Sequence, residues 1–229
     1  MKFINQNSLA GTVDLISEAI FYSRNISKQE SLAAGKWLSA RQGLPGSYAS
    51  MFAPTELDRQ NGVRVFTGEK ISSRAAIAHI LGEETCRILS VLDINDKGIK
   101  TAHAAAIRGF TARLADSEKR GYAIGTYCCG KCSAAYWRNL LVTEFPRREE
   151  RLAEGMKELK RSRIGDGRWR RFPFFYLSLA LTEIGPDLAK SEMQYAAPLW
   201  EKHLKNNRKS QGEYAKRRMR IGEELLAMC

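Results

Sequence analysis

The chain has 229 residues, 44% hydrophobic and 27% charged, enough for a sizeable core and incompatible with general disorder. No run approaches eighteen apolar residues, which argues against a membrane span, and Met1–Ser8 lacks the apolar stretch of a signal peptide, so a cytoplasmic protein is expected. The formal charge is +12, of which residues 138–171 (eleven Lys/Arg, six Asp/Glu) and 200–229 (eight, four) supply +9; such surfaces attract nucleic acid, acidic proteins or anionic membrane, or simply solubilise.

Nearly every segment reads as helix. Val13–Ser23 is short and amphipathic. Ser27 with Glu30 makes a capping box, and its helix runs to about Arg41, where Gly43, Pro45 and Gly46 stop it. Residues 43–71 show no clear period and read as a long ordered insertion, rich in aromatics, of the kind that often serves function. Ser72 or Ser73 caps a helix to about Leu92, with His79, Glu83 and Arg87 on one polar stripe and Cys86 near it. Ile99–Ser117 is an alanine-rich helix carrying His103. Ser133–Val142 and Arg147–Arg161 are helical. Phe172–Ile184 is apolar nearly all round, which predicts a buried helix with Pro173 in its first turn. Pro186–Ala197 follows, and a final amphipathic helix, Glu213–Met228, reads as peripheral within a C-terminal segment 206–229.

Three loops, each between helices, share a Gly-x-aromatic signature: Gly46-Ser-Tyr48, Gly125-Thr-Tyr127 and Gly167-Arg-Trp169. The last two glycines are 42 positions apart, and the first two 79, one period plus the insertion. A period near forty with two helices per unit predicts a single all-α domain over 1–229, built of stacked helical hairpins as a solenoid or a closed toroid. The first copy, Gln42-x-x-x-Gly46-x-Tyr48, resembles the Gln-x-x-x-Gly-x-Trp repeat of the terpenoid cyclase and protein prenyltransferase α/α-toroid superfamily. The third copy has Arg163 in place of glutamine, and the middle copy keeps Gly125 and Tyr127. The resemblance spans roughly residues 27–200 and implies a partial α/α toroid with a hollow that binds an apolar or isoprenoid-like small molecule or a peptide. The cyclases' Asp-x-Asp-Asp motif has no counterpart, so no catalytic residue carries over and no complete catalytic constellation is visible.

Three of the five cysteines fall in one loop, Cys128, Cys129 and Cys132. An odd, clustered set argues against a disulfide framework. Thiolates at Cys-x-x-Cys spacing can share a tetrahedral zinc, with Cys86 and His79 able to complete the set; the same thiols can be buried packing groups or a redox or nucleophilic site. Tyr48, Phe52, His79, Glu83, Arg87, Tyr127, Trp137 and Trp169 are the candidate pocket residues. An alternative reading makes the protein an interaction scaffold for nucleic acid or an acidic protein. Its basic faces would be Arg168, Arg170 and Arg171, where an aromatic in the same loop could stack on a base, and Lys216, Arg217, Arg218 and Arg220.

Overall fold

The computed structural model describes residues 2–71, 73–207 and 211–229. These form ten α-helices and one two-stranded antiparallel sheet, so the all-α class is correct. None of these helices is long and apolar enough to cross a membrane. The chain divides into two compact units. One comprises residues up to 66, 70–122 and 142–146; the other comprises 67–69, 123–141 and 147–229.

In the first unit, α1 (Leu9–Phe21) begins four residues before its apolar period suggests. Two side chains explain this. The Ser8 hydroxyl accepts from the Gly11 amide, and the buried Asp58 carboxylate accepts from the Leu9 and Ala10 amides. Two orphan donors of the first turn are thereby satisfied from 49 and 48 residues away in sequence. α2 (Lys28–Ser39) carries the expected Ser27–Glu30 capping box. The aperiodic insertion is ordered. It contains α3 (Glu56–Asn61), capped by a Thr55–Asp58 box, and the strands β1 (Val63–Arg64) and β2 (Lys70–Ile71) in Val63–Ile71 register. α4 (Arg74–Leu92) is capped by Ser73; Ser72, the other predicted cap, lies outside the described residues. α4 is buried continuously from Ile77 to Leu89 and packs against α1, α2, α3 and α5 (Lys97–Lys119). Gly82 lets Met51 of the insertion lie directly on α4, since a Cβ there would stand 2.8 Å from the Met51 methyl.

His103 on α5 lies 3.4 Å from the Ser90 hydroxyl, which also pairs with Thr143 at 2.8 Å. Burial lowers its pKa below the ordinary imidazole value. The unfolded chain therefore binds the proton more tightly. The contribution of neutral His103 is fully present above the unfolded pKa of about 6.5 and is lost as pH falls through the lower folded value. Urea unfolding at pH 7.5 and 5.5 is expected to show this loss in the wild type and a smaller one in His103→Gln. An unchanged difference would assign it to other groups.

The second unit is built from α6 (Gly130–Val142), α7 (Arg148–Arg161), α8 (Phe174–Ile184), α9 (Pro186–Asn207) and α10 (Glu213–Ala227). α8 is buried from Tyr176 to Thr182, as its apolar circumference predicts. Pro173 is the N-cap of α8 rather than a first-turn residue. α9 does not stop at Ala197 but runs through Pro198 to Asn207. Proline removes one helical hydrogen bond, yet Trp200 beyond it is fully buried and donates to the Ser178 hydroxyl at 2.9 Å, an anchorage that outweighs the local defect. α10 is not peripheral: it packs on α8 and α9, and its Gly222 faces the Trp200 ring so closely that a Cβ would sit 2.5 Å from it.

The three repeat loops are not equivalent. Gly46 and Gly167 both take left-handed φ values, +83° and +85°, beside matching antiparallel bridges, Gln42–Phe52 and Arg163–Trp169. Glycine is needed there for conformation. Gly125 is needed for space, because the backbone of Glu154 and Gly155 on α7 lies against it.

Candidate functional site

The loop entering α6 brings Cys128, Cys129 and Cys132 together. Cys128 adopts φ 60°, a left-handed conformation uncommon for a residue with a side chain. Ser133 then locks the turn: its hydroxyl accepts from the Tyr127 amide at 3.0 Å and donates to the Tyr127 carbonyl at 3.2 Å. Trp137, one turn further along α6, donates its indole N–H to the Gly125 carbonyl at 2.7 Å. The start of α6 and the residues before it are thus pinned at two points. The three Sγ atoms all lie within 4.8 Å of one another, with Cys128 and Cys129 exposed and Cys132 buried. All five cysteines of the chain are thiols.

Crowding raises the resistance of Cys128 and Cys132 to ionisation. The hydrogen bond with Cys129, followed by burial, pushes the Cys132 thiol far above the ordinary range. Partial burial and the neighbouring Cys129 raise Cys128. A cluster of this kind gains most from a cation that replaces the protons.

The cluster opens into a cavity of about 540 Å³, lined by Thr126, Tyr127, Cys128, Cys129 and Ser133 together with Glu158, Arg161, Arg170, Arg171 and Phe172. Phe172 stacks on Trp137 with ring centroids 5.7 Å apart. The loop carrying the arginines is seated on the first residue of α6: a Cβ on Gly130 would stand 2.3 Å from the Arg171 carbonyl oxygen and 2.7 Å from Phe172 Cα. The loop is held from behind as well. The Arg170 amide donates to the Ser162 carbonyl at 2.7 Å, and the buried Glu192 accepts from Trp169 at 2.8 Å and from Arg163 at 2.7 and 3.0 Å. Arg171 is itself left-handed, φ 67°.

The other predicted residues lie elsewhere. His79 and Cys86 belong to α4 in the first unit. His79 stacks on Tyr48 at 4.7 Å and meets Glu83 Oε1 at 3.2 Å through Nε2, while Cys86 is fully buried, its thiol raised by burial and by Glu83. The stripe of His79, Glu83 and Arg87 is buried. Phe52 is a core residue. In the second unit, Tyr127 lines the cavity, Trp137 stands behind Phe172, and Trp169 is buried against Glu192, so its ring has no free face for a base. Of the basic face, Arg170 and Arg171 reach the cavity. Arg168 pairs with Asp166 and Arg220 with Glu224, both on the surface. Arg217 is fully buried, beside Glu213, and Arg218 donates to the Thr67 carbonyl at 2.7 Å and covers the Phe175 ring. Lys216 is exposed. The C-terminal stripe is therefore dispersed, because α10 turns two of its four cations inward.

Arg161 and Ser133 join the site without having been individually marked by the sequence, since no local pattern distinguishes an arginine or serine at these helix positions from any other. Comparison with family models, with curated proteins and with solved structures finds no match.

Proposed function

We propose that this is a metal-binding protein in which Cys128, Cys129 and Cys132 hold one soft divalent ion of the zinc type, with the remaining coordination position facing the cavity. One observation carries the reading: three thiol sulfurs from a single locked turn lie within 4.8 Å of one another. Sulfurs sharing a tetrahedral zinc stand about 3.8 Å apart, given Zn–S bonds of about 2.3 Å. Three protein ligands and an open position are the pattern of sites that present the ion to a small molecule rather than bury it for structure. The polar, arginine-bearing wall favours a polar ligand over the apolar or isoprenoid-like one that the toroid resemblance implies. We keep the α/α-toroid relation as a proposal for the architecture alone, supported by the matching turns at Gly46 and Gly167.

Elemental analysis with native mass spectrometry, on protein purified without a metal-affinity tag, tests the reading. About one zinc per chain is expected, lost in the Cys128→Ser/Cys129→Ser variant. Wild-type protein that neither retains nor takes up zinc would overturn it. Zinc-free protein that instead forms a Cys129–Cys132 disulfide under mild oxidant would assign the loop to dithiol chemistry. The pH dependence is also fixed in sign. Raised thiol pKa values mean that protons compete strongly, so zinc affinity is expected to fall steeply from pH 8 to pH 6, with proton release on binding. Competition with a chromophoric chelator across that range measures it.

A further inference from the structure

Zinc chemistry leaves the cavity's cations unexplained. Arg161 is answered by Glu158 on its own helix, but no side-chain hydrogen bond or ion pair among the described residues engages the guanidinium of Arg170 or Arg171. Their positions are not accidents of a floppy surface. The backbone of this loop is clamped between Gly130 on one side and the Glu192–Trp169–Arg163 network on the other, and both arginines line the cavity that Cys128 and Cys129 also line. Two adjacent guanidiniums on a backbone held in this way offer ten N–H donors and two positive charges, suited to bidentate bonds with planar or tetrahedral oxyanions. The Thr126 hydroxyl adds a polar group to the same cavity. A volume of about 540 Å³ accommodates a small molecule and not a folded partner.

We propose that this cavity binds a small molecule bearing an oxyanion, phosphate or carboxylate, with Arg170 and Arg171 gripping the oxyanion and the rest of the ligand lying over the cysteine cluster. The inference rests on the cavity being the working site, but not on the metal being present.

Isothermal titration with inorganic pyrophosphate and, separately, citrate tests it on the full chain, once with zinc and once with chelator and reductant. Saturable binding is expected in both metal states. Arg170→Gln/Arg171→Gln should weaken it by about tenfold or more while leaving the circular dichroism spectrum and the zinc content unchanged, because both side chains are exposed. Gly130→Ala, which pushes the loop off α6, should weaken it with both arginines still in place. A preference for pyrophosphate identifies a phosphate ligand and a preference for citrate a carboxylate. Failure of both probes to bind, or equal binding by the double variant, overturns the proposal and leaves the zinc reading standing. Persistent anion binding with no zinc uptake supports the proposal and removes the zinc. A single-stranded oligonucleotide that binds more tightly than pyrophosphate, with a steep salt dependence, would replace the small molecule by a nucleic-acid backbone and overturn it.

Discussion

Gly125→Ala is expected to destabilise the protein by at least about 3 kcal/mol, a loss of roughly 6–12 °C in Tm for a chain of this size. The added Cβ would stand 2.2 Å from the Gly155 amide nitrogen and 2.3 Å from the Glu154 carbonyl carbon. These are backbone atoms of α7 and have no rotamer to escape into. Either α7 moves or the Gly125 loop does, and in both cases the 2.7 Å bond from Trp137 to the Gly125 carbonyl is disturbed, stranding a buried indole N–H. Gly165→Ala is the proper control. Gly165 has φ +93° with no heavy atom within 4 Å of its virtual Cβ, so that substitution costs only backbone strain, about 1 kcal/mol. Thermal and urea unfolding of the pair measures the difference. A Gly125→Ala protein as stable as Gly165→Ala would mean that α7 is not seated on this loop. Because Cys128 follows three residues later, zinc uptake should fall in the same variant.

Asp58→Ala should cost about 3–5 kcal/mol, by a different route. The Asp58 carboxylate is buried and accepts from five donors: the Ser8 hydroxyl at 2.5 Å, the Leu9 and Ala10 amides at 2.9 and 3.3 Å, and the Thr55 amide and hydroxyl at 2.8 and 2.9 Å. It thus caps the N-termini of α1 and α3 together. Removing it leaves the buried Leu9 amide and the part-buried Ala10 and Thr55 amides without this acceptor at two helix starts. Asp58→Asn keeps one acceptor oxygen but turns an NH₂ toward amides that also donate, so an intermediate loss is expected. Hydrogen exchange at the Leu9 and Ala10 amides should accelerate in both variants. Stability within 1 kcal/mol of wild type in Asp58→Ala would show that the α1 cap carries little of the fold.

Local rules were legible wherever a helix is decided by its own residues. The Ser27–Glu30 box lies within four consecutive positions, and α8 announces its burial because apolar residues surround it. They failed where a distant group decides. The start of α1 depends on Asp58, and the passage of α9 through Pro198 depends on Trp200 meeting Ser178. The stripe of His79, Glu83 and Arg87 reads as a polar face, yet it is covered on α4, a helix packed against four others. Arg217 reads as part of a basic surface, yet its helix turns it inward.

The candidate site divides in the same way. That three cysteines share one turn and that basic residues cluster in 138–171 is readable from spacing and composition. That Arg170 and Arg171 line one cavity with Cys128 and Cys129 while Trp169, between Arg168 and Arg170, is buried follows from the folded chain alone. That outcome depends on contacts between segments 23 to 41 residues apart: the absence of a side chain at Gly130, and the Glu192 carboxylate that holds Trp169 and Arg163. Local periodicity reports which way a side chain points from its own helix, but not what other backbone comes to lie against it.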